Sequence, residues 1–160
     1  MIEVTITVPD TLRQALERLA QSLRHRQPLM RALSEDLYDA VMENFEQEGR
    51  PRWLPIDRAG KILQQSGRLA ASIDSDADND QAVVGTNVVY ARIHQQGGTT
   101  RPHVIRPRYK KALAFNGRVV KRVNHPGSTI PARPFLSLTD QDYQALAHTV
   151  NDYLQRALDE

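Results

Sequence analysis

Residues 2–8 alternate between apolar Ile2, Val4, Ile6 and Val8 and polar Glu3, Thr5 and Thr7, the period-2 pattern of a half-buried strand. Pro9 ends that pattern, and Asp10 is placed to cap a following helix. Leu12, Ala15, Leu16, Leu19 and Leu23 recur at helical spacing, so an amphipathic helix with a buried apolar face is expected over residues 11–24. A second helix is expected from Pro28, which suits a first helical turn because it lacks an N–H. Its stripe is Leu29, Leu33, Leu37, Ala40, Val41 and Phe45, and Gly49 can supply a left-handed stop.

The middle of the chain is less periodic. Trp53, the only Trp, stands between Pro51 and Pro55, which suits an aromatic anchor pinning a loop to the core. A short helix is expected over Ala59–Gln65. A helical turn at 66–72 leads to a strand near Ile73, then an acidic turn Asp74–Asp80 and a return strand Gln81–Thr86. Residues 88–95 read as a helical turn stopped at Gly97-Gly98. Residues 98–111 read as a flap. Asn116-Gly117 marks a two-residue hairpin that sets Phe115 opposite Arg118 and Leu113 opposite Val120. Thr139 with Asp142 forms a capping box for a last helix whose expected buried face is Tyr143, Leu146, Ala147, Val150, Leu154 and Leu158. The expected fold is α+β: a small twisted, mostly antiparallel sheet packed by two N-terminal helices and a C-terminal helix. Residues 1–160 then form a single domain carrying a mobile basic insertion around 98–125.

Length and composition fit one ordinary domain of 160 residues with 40% hydrophobic and 25% charged residues. Without cysteine there is no disulfide, thiolate metal site or thiol nucleophile. No apolar stretch approaches the roughly 20 residues of a membrane span, and the N-terminus lacks the basic and apolar regions of a signal peptide. A cytoplasmic protein with no membrane contact is expected.

Charge changes this picture most. The net charge is only +2, but residues 81–139 contain no Asp or Glu and ten cations: Arg92, Arg101, Arg106, Arg108, Lys110, Lys111, Arg118, Lys121, Arg122 and Arg133. That stretch carries +10, so the remaining 101 residues carry −8. Such a segment is either a solvated basic loop or a surface that meets something negative, nucleic acid or the acidic part of a neighbouring copy. Arg106-Pro-Arg108-Tyr109-Lys110-Lys111 interleaves one aromatic with four cations, a pattern suited to non-specific phosphate contact and base stacking.

Catalytic chemistry finds no constellation. His25, His94, His103, His125 and His148 include no His-x-His and no helical i,i+4 pair, and three of them lie in the stretch without carboxylates. Phosphate-binding glycine loops and a Gly-x-Ser-x-Gly elbow are absent. No cofactor, catalytic residue or metal site is expected.

Several phrases in fixed order carry a resemblance: Trp53-Leu-Pro55, Lys61 to Leu69 with its Ser66-Gly67-Arg-Leu69, Val84-Gly-Thr-Asn87, Tyr90-Ala-Arg-Ile-His94-Gln95-Gln-Gly97, and Ile130-Pro131-Ala-Arg133-Pro134-Phe135-Leu136. Together they resemble the phage virion morphogenesis proteins of Mu-like phages and prophages, which are similar to the tail completion proteins of P2-like phages. The resemblance runs over nearly the whole chain. It implies a small tail-terminator-like α/β fold and a non-enzymatic role in tail completion or head–tail joining. It also implies self-association into rings, commonly hexamers, that meet the tail tube and neck or head-completion proteins. The expected location is the host cytoplasm during assembly and then the virion. In a ring the basic segment would meet a neighbouring subunit or face DNA in the lumen. The alternative role is a non-specific nucleic-acid-binding module built on residues 101–122.

The motif residues also have plain physical readings. His94 and Gln95 satisfy backbone groups in a helical turn, and Phe135 plugs the core. Arg133, stiffened by its flanking prolines, makes a salt bridge within the subunit or across an interface.

Overall fold

In a computed structural model, residues 9–115 and 117–159 are described; the expected strand over residues 2–8 lies outside them. The chain divides into two compact units, residues 1–88 with 135–160, and residues 89–134. The fold is α+β, and among the described residues the strands pair antiparallel, in four separate two-stranded ladders.

The first unit is built on α2 (Gln27–Glu46), which lies against α4 (Asp140–Asp159) and against the ladder of β1 (Ile73–Ala77) and β2 (Ala82–Thr86). Pro28 occupies the first turn of α2. The helix buries Leu29, Ala40, Val41 and Phe45, while Leu33 and Leu37 of the same stripe are half-buried. Phe45 meets Trp53 edge-on at 6.0 Å between ring centroids and Phe135 at 5.4 Å. Trp53 therefore anchors its loop to the core and Phe135 plugs it, as expected. Gly49 turns the chain at φ 102°, and a Cβ there would meet the Trp53 ring at 2.5 Å.

Helix α1 (Asp10–Arg24) packs on α4 and runs antiparallel to it. Arg18 Nη2 donates to the Leu158 carbonyl at 3.3 Å, and the Tyr153 hydroxyl donates to the Ser22 carbonyl at 3.1 Å.

Several expectations are corrected here. Pro9, not Asp10, stands at the N-cap of α1; Asp10 is already in the first turn, where it pairs with Arg13. The apolar stripe of α1 is not buried: Leu12, Leu16 and Leu23 are 45–51% exposed. Arg18 already sits at the end of α4, so the first two turns of α1 extend past that helix. On α4, Tyr143 is 59% exposed because Asp142 takes the inward position beside it; Ala147 and Leu158 are exposed as well.

Residues 59–65 form no helix. Gly60 and Leu63 adopt positive φ, and the segment is strapped to the end of α2 instead. The Ile62 N–H donates to Glu48 Oε1 at 2.7 Å and Gln64 Nε2 donates to the Phe45 carbonyl at 2.6 Å. The acidic segment 74–80 is mostly strand, since β1 runs to Ala77 and only Asp78–Gln81 makes the turn. The Asp78 carboxylate accepts the N–H groups of Asp80 and Gln81, and these bonds hold it below its ordinary pKa. The capping box is as expected: the Thr139 N–H donates to Asp142 Oδ2 at 2.7 Å and the Asp142 N–H to Thr139 Oγ1 at 3.3 Å.

The second unit opens with α3 (Ala91–Gln96), stopped by Gly97 at φ 71°. The rest is one set of nested antiparallel pairings. Strand β3 (Gly98–Thr99) pairs with β8 (Thr129–Ile130), β4 (His103–Ile105) with β7 (Val123–His125), and β5 (Leu113–Phe115) with β6 (Arg118–Val120). The Asn-Gly register is as expected, with Phe115 opposite Arg118 and Leu113 opposite Val120. Residues 98–105, read from sequence as part of a flap, are paired strand for most of their length.

Candidate interaction surface

The nested pairing decides where the cations go. Gly98 opposite Ile130 and His103 opposite His125 keep one register. Beyond Ile105 opposite Val123 the two chains are unequal: seven residues, 106–112, stand against two, 121–122, before Leu113 meets Val120. The longer side is the Arg106-Pro-Arg-Tyr-Lys-Lys111 motif with Ala112, five residues in excess of the opposing strand. An excess of this size bulges out of a ladder, since only the ladder residues can satisfy one another's backbone groups.

Arg101, Arg106, Arg108, Tyr109, Lys110, Lys111, Arg118, Lys121 and Arg122 are all exposed. Tyr109 is 88% exposed, and the Arg108 guanidinium carbon lies 5.5 Å from its ring centroid, within cation–π range. The division between the units is also the division of charge: residues 89–134 hold all ten cations of the basic stretch and no carboxylate. Their mutual repulsion is left to solvent and to whatever meets them.

Arg133 is the exception in the set, being 7% exposed. It belongs to the junction between α3 and the Ile130–Leu136 phrase. The Arg133 N–H donates to the His94 carbonyl at 2.7 Å. A Cβ on Gly97 would lie 2.8 Å from the Ala132 nitrogen, so the Gly stop of α3 also lets the 130–132 backbone approach closely. Tyr90 meets His94 edge-on at 5.9 Å between centroids. The expectation for the His94 side chain is corrected: its Nδ1 is buried without a hydrogen-bond partner among the described residues. Burial, and then the Arg133 charge, lower its pKa below that of an ordinary imidazole.

Two further histidines meet across the β4–β7 ladder. The His103 and His125 rings stack at 5.0 Å between centroids, 26° from parallel. His125 Nδ1 accepts the Gly127 N–H at 3.1 Å, whereas His103 Nδ1 lies 3.0 Å from the Arg101 carbonyl and must donate to it. His103 Nδ1 therefore carries a hydrogen and His125 Nδ1 does not. Among the described residues no three or more His, Asp or Glu side chains are grouped to hold a metal, and no helix is long and apolar enough to cross a membrane.

The remaining motif residues are divided between the units. Gly67 turns at φ 69°, and its carbonyl accepts the Ala71 N–H at 2.9 Å, while Leu69 is buried. Gln95 is half-buried on α3, and Pro131 and Pro134 flank Arg133 in the irregular segment before Phe135.

The family model for the phage virion morphogenesis family matches residues 9–155, which include all of the second unit and most of the first. The chain belongs to the phage virion morphogenesis family. This family member is similar to "Mu-like prophage FluMu G protein 2" of Haemophilus influenzae, with 42% identity over 156 residues, 97% of each chain. It is also similar to "Putative capsid assembly protein G" of Escherichia phage Mu, with 26% identity over 160 residues, 90% of this chain and 88% of the phage protein. No solved structure matches. Membership points to a phage structural or assembly role and to association with the virion.

Proposed function

We propose that this phage assembly protein acts in tail completion or head–tail joining, without catalysis, as a subunit that associates with copies of itself in a ring. The observation that supports this reading is the separation of charge: +10 on the unit of residues 89–134 and −8 on the remainder. A subunit with two opposite-signed faces has a built-in head-to-tail complement, and a repeated heterologous contact closes into a ring when the rotation allows. Its further partners are the tail tube and the neck or head-completion proteins, met in the host cytoplasm.

A second reading has its own observation. Tyr109, exposed beside Arg108, Lys110 and Lys111, suits non-specific contact with a nucleic-acid backbone and one stacked base.

Deletion of the gene from an inducible Mu-like prophage tests the main reading. Lysates should contain full heads and tails that are not joined, with joining restored by the protein supplied in trans. Intact virions from the deletion strain would rule it out.

A further inference from the structure

The second unit presents a basic loop, and the first unit presents a sheet face of opposite character. One side of the β1–β2 ladder packs on α2 through Ile73 and its alternates. The other side carries Asp74 and Asp76, which lie opposite Gly85 and Val83 in the register. Both carboxylates are exposed, and Val83 is 47% exposed. A Cβ built on Gly85 would meet nothing within 4 Å, so this face has open backbone at Gly85, bordered by Val83 on its own strand and by the two acids on β1.

Among the described residues these acids have no cation, and Asp74 and Asp76 each accept the N–H of the following residue. Of their neighbours, Asp80 is paired with Arg26 and Asp78 is occupied by the turn. From Leu69 to Ala91 the only charged residues are these four aspartates. On the other unit, no ion pair among the described residues involves Arg106, Arg108, Lys110 or Lys111.

We propose that the bulged loop 106–112 of one copy docks on the outer face of the β1–β2 ladder of a second copy. The inference rests on the self-association reading above and names the two surfaces that carry it. Arg108 and Lys110 flank Tyr109, and on the ladder Asp74 and Asp76 stand side by side on β1 next to Gly85 and Val83 of β2. An aromatic ring can lie on glycine backbone and the Val83 side chain while the cations reach the carboxylates. A second copy satisfies both surfaces at once. Nucleic acid would cover only the basic loop and would be repelled by the acidic face. Loop and face are different patches, so the contact is heterologous and leaves a pair of copies with one free loop and one free face.

The test uses two full-length variants, D74K/D76K and R108E/K110E/K111E, with light scattering after size exclusion. Each keeps one half of the contact. Each alone should remain monomeric where the wild type associates. Their equimolar mixture should associate again with the two chains alternating, because each loop then meets a face of opposite charge, and should weaken by about tenfold or more from low to physiological salt. A chain carrying all five substitutions should associate with itself again. The milder D74N/D76N and K110Q/K111Q replace any variant whose circular dichroism shows misfolding. Wild-type association unaffected by either variant would overturn the docking and leave the ring reading standing. A wild type that never associates, but binds duplex DNA through the loop alone, would overturn both.

Discussion

The Arg50 guanidinium grips the Asp142 carboxylate with both terminal nitrogens, Nη1 to Oδ1 at 2.9 Å and Nη2 to Oδ2 at 3.0 Å. The same group donates from Nε to Asn44 Oδ1 at 2.9 Å and from Nη2 to the Ala40 carbonyl at 2.7 Å. Asn44 then donates to the carbonyls of Phe135 and Ser137. One arginine thus ties the end of α2, the chain entering α4 and the α4 capping box together. Both partners are nearly buried, with side chains 12% and 9% exposed. Removing Arg50 leaves a buried carboxylate without its counter-ion, so R50A is expected to destabilise the first unit by about 3–5 kcal/mol. R50M/D142L, which removes both charges, should lose less than R50A. Urea unfolding followed by Trp53 fluorescence measures both, and equal losses would contradict this account.

The pair also sets an acid limit. Burial raises the Asp142 pKa, but the Thr139 hydrogen bonds and the Arg50 charge outweigh it, so the folded value lies below the ordinary carboxylate range. With the folded pKa depressed, the stabilisation is complete above the unfolded pKa near 3.8 and is lost as pH falls through the folded value. Wild type and D142N should therefore converge in stability on acidification below that range. A constant difference between them down to the acid transition would remove Asp142 as the cause.

Trp53 depends on Gly49. The positive φ at Gly49 and the 2.5 Å approach of a Cβ to the indole act together, so G49A both strains the backbone and displaces the ring. A red shift of Trp53 emission is expected, with destabilisation of at least about 1 kcal/mol. Unchanged emission would show that the ring does not need that space.

These residues mark where the sequence was legible. Phe45, Trp53 and Phe135 could be read as core because apolar bulk, proline boundaries and helical period agreed. The Asn-Gly hairpin and the Thr139–Asp142 cap were readable because their chemistry is local. Arg50 was not readable, since its partners lie up to 92 residues away. One signal existed: Asn44 is a polar residue on the same helical face as Val41 and Phe45. The exposed stripe of α1 misled because periodicity reports that a face is apolar and not what covers it. The basic segment was visible as a run of charge, but its surplus of five residues over the opposing strand required the register on both sides.

His94 gives a prediction for the second unit. Its folded pKa is lowered by burial and by Arg133, so below the ordinary imidazole pKa of 6.5 the unfolded segment takes up a proton before the folded one. The stability of the α3 junction should fall as pH drops from above 6.5 toward the folded value and then level off. In H94Q that slope should be absent. Imidazole titration by NMR checks the cause directly, since R133Q should move the His94 pKa back up. A His94 titrating at its ordinary value in the wild type would exclude the mechanism.

The unequal strands permit a clean excision. Removing 99–111, as the charge run alone suggests, would also remove all of β4 and half of β3, the residues that pair with β7 and β8. Ile105 and Val123 are already opposite one another, so replacing residues 106–122 by Asn-Gly closes β4 and β7 with a two-residue turn of the favoured type. The excised segment contains seven cations and Tyr109 but neither stacked histidine. The shortened chain should unfold like the wild type in its first unit and keep the His103–His125 contact in NMR spectra. Its self-association should fall to the background of the R108E/K110E/K111E chain, because the ladder holds the loop in place and the loop makes the contact. Retained association would locate the contact elsewhere, and a lost His103–His125 contact would show that the tip stabilises the ladder beneath it.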